Sequence, residues 1–154
     1  MSSLVPQKIP QSIASASVWF ALAVIAGIVE TIIAVADGLF IDTDAYSGTE
    51  IVINLAFRAV VYGTMLVVIR FLRQGARWPA IVLTVVLGVI GMGTLIVPYF
   101  MWLADGNDIM QGIRDLDALG GVFAIVRVLH VAFVVLGVIY LYIPQSLRYY
   151  RGAV

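Results

Sequence analysis

The sequence predicts an all-α integral membrane protein: one four-transmembrane-helix bundle spanning residues 1–154, with both termini in the cytoplasm. Three observations carry that expectation. Hydrophobic residues make up 62% of the chain and charged residues only 12%, and the mean hydropathy is +1.06. A soluble domain is nearer half apolar and a quarter charged, so the excess needs lipid rather than a small core to hide in. Four apolar stretches, approximately residues 18–40, 51–72, 81–103 and 122–143, follow one another at hairpin spacing. Each is near the roughly 20 residues that cross ~30 Å of hydrocarbon as a helix. Finally, the basic residues fall on one side of those stretches.

The first stretch reads as an uncleaved helix. It is too long for a secretory signal, and the "ASA" at residues 14–16 precedes the apolar run, where a cleavage site would follow it. Ala23, Ala26, Gly27, Glu30 and Ala34 recur at i, i+3, i+4 spacing, a small-residue stripe that lets another helix approach and turns Glu30 into the bundle. Asp37, seven residues on, shares that face.

In the second stretch Asn54, Arg58 and Tyr62 repeat every four residues, and so lie on one face. The third, containing "VVLGVIGMGTLIVPYFMWL", is continuously apolar, which excludes the alternating strands of a β-barrel. Pro98 predicts a kink there, and Gly88, Gly91 and Gly93 predict close packing. Between the third and fourth stretches, Ile109, Ile113 and Leu116 recur at helical spacing behind Asn107 and Asp108. That pattern predicts a short amphipathic surface segment within residues 107–119. Arg127 and His130 share a face of the fourth stretch. "ADG" at 36–38 and 104–106, with Arg58 and Arg127 at a similar offset, hints at a two-hairpin pseudo-repeat.

Orientation follows from the loops. Lys8, Arg70, Arg73, Arg77, Arg148 and Arg151 lie on one side with no acid among them, which the positive-inside rule makes cytoplasmic. Asp42, Asp44, Glu50, Asp105, Asp108, Asp115 and Asp117 lie on the other, with Arg114 as the only base. Eight arginines against one lysine hint at a GC-rich bacterial source, so the expected location is the bacterial inner (plasma) membrane, crossed several times.

By depth, Glu30, Arg58 and Arg127 lie within a few ångströms of one another, some 10–15 Å below the acidic surface at 1.5 Å per residue. An unpaired charge at that depth is costly, so Glu30 and Asp37 are expected to neutralise Arg58 and Arg127, with His130, Asn54 and Tyr62 as polar neighbours. Such a cluster could fix helix register, reach toward headgroups, hold an anionic lipid or other ligand, or carry an ion.

Several classes are disfavoured. Zero net charge with no basic patch argues against nucleic acid. The acidic loops fail the calcium-loop pattern at their fifth and sixth positions, and with no cysteine and one histidine no metal or cofactor site is expected. No nucleophile, phosphate loop or paired catalytic carboxylates are visible, so no enzyme activity is expected. What remains is a non-catalytic accessory or structural subunit, with the lipid bilayer and a protein partner or second copy as its company. The alternative is a small oligomeric transporter, a channel, or a lipid- or anion-binding protein. The inner half of each helix is almost wholly apolar, which favours the subunit.

Overall fold

The structure, a computed structural model, describes residues 9–40, 47–114 and 116–152. Lys8, Asp42, Asp44 and Asp115, which entered the charge pattern, lie outside the described residues, as does the side chain of Arg151. The described residues form six helices: α1 (Gln11–Phe40), α2 (Gly48–Arg73), α3 (Trp78–Ala104), α4 (Ile109–Arg114), α5 (Ala118–Tyr142) and α6 (Pro144–Gly152). Four of them, α1, α2, α3 and α5, are long and apolar enough to cross a membrane.

α1 starts well before the apolar run at Val18. The amides of Ile13 and Ala14 bond to the carbonyl of Pro10, which seeds the first turn. The serines of this segment find partners inside the protein. Ser17 donates to the carbonyl of Ala14 at 2.6 Å. Ser12 lies 2.7 Å from the hydroxyl of Ser146 in α6, which donates to the carbonyl of Tyr140.

Acidic residues of the loops turn out to be helix caps. Ser47 and Glu50 form a capping box at the start of α2, the Ser47 hydroxyl accepting from the Glu50 amide and the Glu50 carboxylate from the Ser47 amide. Asp108 accepts from the Met110 amide at the head of α4, and Asp117 accepts from the Gly120 amide at the head of α5. Within residues 107–119, Ile109–Arg114 form the helix α4.

Within α3 the irregular stretch is Thr84–Gly91, which winds as a π-helix, several residues before Pro98. Of the three glycines expected to mark close packing, Gly88 meets Val138 of α5, whereas Gly93 faces open space.

Packing is uneven along the bundle axis. α1 is the most enclosed of the four long helices, lying against both α5 and α2. The core gathers at the end that carries Arg73, Arg77 and Arg148, the basic end, where Ile13, Phe20, Leu72, Leu83 and Leu141 are fully buried. Tyr150 of α6 packs against it. Burial, then the neighbouring Tyr149 and Tyr142, push its phenol up to about 12, so it stays neutral. Toward the opposite, acidic end the helices separate, and Val52, Ile53, Phe57 and Val60 of α2 have little of the bundle over them.

Candidate functional site

The site is organised on the enclosed face of α1. Ala23, Ala26, Gly27, Glu30 and Thr31 are buried there, while Ala34, one turn further, is exposed because the bundle has opened by that point. Gly27 makes the site possible. A Cβ at this position would sit 3.1 Å from both the His130 ring of α5 and the Tyr62 ring of α2, so hydrogen alone lets both neighbours reach α1 at this level.

On the α5 side, Glu30 is the centre. Its side chain is 4% exposed, and its Oε1 lies 3.0 Å from His130 Nδ1. A carboxylate can only accept, so with Glu30 ionised Nδ1 carries the hydrogen and donates it. Arg127 Nη2 donates to Glu30 Oε2 at a longer 3.4 Å. The guanidinium also lies over the Phe123 ring at 4.4 Å from its centre, and Nη1 donates to the Tyr99 hydroxyl at 3.3 Å. Arg127 Nε is buried with no hydrogen-bond partner among the described residues. Arg127 is held by an ion pair, an aromatic face and a phenol, each on a different helix or turn.

On the α2 side the contacts are polar and neutral. Thr31 Oγ1 and Tyr62 OH each donate to the carbonyl of Gly27 at 2.8 Å and lie 2.9 Å apart. Arg58 donates from Nη1 to Thr31 Oγ1 at 3.2 Å and from Nε to Asn54 Oδ1 at 2.7 Å.

The expected pairing of two acids with two arginines is therefore corrected. Glu30 serves Arg127 and His130, and Arg58 reaches neither acid. Tyr62 and Thr31 occupy the space between α2 and α1 at this level, and Arg58 folds back toward Asn54. Asp37 is exposed and makes no hydrogen bond or ion pair among the described residues. Two helical turns, roughly 10 Å at 1.5 Å per residue, carry it past the level of Glu30. It lines a small hollow with Asp117, Gly120 and Phe123 instead.

Thr31 and Tyr99 are members of the site that the sequence reading missed. Thr31 adjoins Glu30 and shares its depth, which is a usable signal. Tyr99 was legible only as the residue after Pro98, because its role depends on how α3 leans on α5. Chemically the cluster can hold charge in place and pass a proton between Glu30 and His130. Those two residues alone are too few for a metal site, and no group of three such ligands occurs among the described residues.

Fold and site together define a helical bundle with four potential membrane spans and a buried Glu–His–Arg cluster on its central helix. Compared with known proteins, the chain matches no family model, no curated sequence and no solved structure.

Proposed function

We propose that this chain is a multi-pass protein of the bacterial inner membrane, acting as a non-catalytic accessory or structural subunit of a larger membrane assembly. One observation carries the reading. Charged side chains inside the bundle stop at the level of Glu30 and Arg127, and the basic-end half below them packs Phe20, Met65, Leu72, Leu83 and Leu141 around the buried hydroxyls of Ser12, Ser17 and Ser146, which bond to one another or to helix carbonyls. A transport route needs polar groups or water through the full depth of the bilayer, and a plug of packed apolar side chains denies it within one chain. The same cluster, in which Glu30 bonds to Arg127 and His130 of α5 and Thr31 bonds to Arg58 and Tyr62 of α2, suits a part that fixes the positions of α1, α2 and α5. The uncovered acidic-end half of α2 offers a surface for a partner.

Reconstituted alone in liposomes, the protein is expected to show no ion conductance and no Glu30-dependent proton flux. A stoichiometric protein partner is expected to co-purify in mild detergent. Flux that vanishes in Glu30→Gln would replace this reading with a transporter, because a carboxylate that changes charge in a cycle has no substitute in an amide.

Threading is tested separately. Both termini are proposed to face the cytoplasm, on the distribution of Arg70, Arg73, Arg77 and Arg148. Single cysteines at Ser47 and Asn107 are expected to react with an impermeant thiol reagent on intact cells, and one at Gln74 is not. Labelling at Gln74 alone would invert the topology.

A further inference from the structure

Between the acidic-end halves of α3 and α5 lies a cavity of about 600 Å³. Trp102 and Tyr99 of α3 form one wall. Ile109 and Ile113 of α4, with Leu116, line it toward the acidic end, and among the described residues Arg127 is the one charged residue lining it. α4 lies close against the indole, since a Cβ on Gly112 would come within 2.9 Å of Trp102. A second hollow of about 360 Å³, walled by Leu95, Ile96, Val128 and Val131, shares Tyr99, Ala124 and Arg127 with the first.

We propose that this cavity binds a single-chain carboxylate amphiphile, with its hydrocarbon body in the chamber under α4 and its carboxylate on Arg127 and Tyr99. The size lies within the roughly 300–1,000 Å³ of ligand pockets, and the lining has their character, mostly apolar with a few convergent polar groups. Arg127 is underused as a donor. Among the described residues its two contacts, 3.3 and 3.4 Å, are long beside the roughly 2.7–2.9 Å of charge-assisted hydrogen bonds, and its Nε has no acceptor. Tyr99 OH accepts from Arg127, which leaves its own proton to donate. Glu30 holds His130 at 3.0 Å and Arg127 at only 3.4 Å, which leaves the guanidinium free to take a second, closer acceptor. A helix from a partner fits less well, because α4 and Leu116 line the acidic end of the groove.

The test uses full-length protein carrying Trp19→Phe and Trp78→Phe, which leaves Trp102 as its only tryptophan, in nanodiscs of zwitterionic lipid at alkaline pH. A fatty acid brominated at its chain end is expected to quench Trp102 saturably, and the matching brominated alcohol only weakly. Arg127→Gln is expected to weaken the acid's binding at least about tenfold, the scale of one lost charge-assisted hydrogen bond. Ala124→Phe, which fills the chamber and leaves the Glu30 contacts in place, is expected to do the same, and it decides the matter if Arg127→Gln fails to fold. Equal quenching by acid and alcohol overturns the proposal, as does saturable quenching that Ala124→Phe leaves unchanged. Arg127-dependent quenching by brominated phosphatidylglycerol that the fatty acid cannot displace assigns the site to an anionic phospholipid instead, and also overturns it.

Discussion

Glu30→Gln is expected to lower the unfolding free energy by roughly 1–4 kcal/mol, extending below the roughly 3–5 kcal/mol for stranding one partner of a fully buried ion pair because Arg127 is only partly buried. The amide keeps the shape and removes the charge, so Arg127 and His130 lose the carboxylate that serves both. Arg127 is 24% exposed at its side chain and can turn toward headgroups, which places the expected value in the lower half of that range. The measurement is equilibrium unfolding in detergent or bicelles. A second substitution makes the result specific. Arg127→Met in the Glu30→Gln background is expected to recover part of the loss, whereas Arg58→Met is expected to recover none, because Arg58 bonds to Thr31 and Asn54 rather than to Glu30. Recovery by Arg58→Met and not by Arg127→Met would reverse the assignment of partners.

Phe20→Ala is expected to cost about 2 kcal/mol, the cavity part of the roughly 3–5 kcal/mol such changes cost in water-soluble cores. The transfer part fades here because lipid is as apolar as the core, so packing rather than dehydration holds the helices together. Phe20 is fully buried where α1 crosses α5, and its ring lies over Gly137. A Cβ on Gly137 would meet three ring atoms at 2.9–3.0 Å, and the ring belongs to a fully buried side chain. Gly137→Ala is therefore expected to destabilise by about 1–3 kcal/mol through overpacking. Combining it with Phe20→Leu is expected to restore part of that loss, since the smaller side chain vacates the clashing volume. Strict additivity of the two single changes in unfolding midpoints would mean that the α1–α5 crossing lies elsewhere.

How much of this was legible without tertiary structure depends on the range of the interaction. The four long helices could be read from the chain because an uninterrupted apolar run of the right length specifies a helix by its own backbone hydrogen bonds. The inward turn of Glu30 could be read because small residues at i, i+3, i+4 define one face whatever packs on it. The early start of α1 could not, since Ser12 and Ser17 look like surface residues until α6 supplies Ser146 and the helix's own carbonyls accept their hydrogens. Asp108 could be read as a cap of the segment after it. Glu50 and Asp117 looked like solvated charge, yet Glu50 completes the capping box of α2 and Asp117 caps α5, roles set by a few residues of local backbone.

The pairing within the cluster was beyond the sequence. Residue spacing gives depth and face on one helix, but Arg58 and Arg127 lie at nearly the same depth, so spacing cannot choose which of them meets Glu30. That choice rests on which helix comes nearest to α1 at this level. Gly27 admits His130 from α5 and Tyr62 from α2 together, and Tyr62 with Thr31 then fills the α2 side. Arg58 is left to neutral partners, and Arg127 enters from α5 against Phe123 and Tyr99. The chain by itself determined that charges would be buried and where along the bundle. The way three helices divide the space around one glycine decided which charges meet, because a contact across helices depends on interaxial distances of a few ångströms that no single helix encodes.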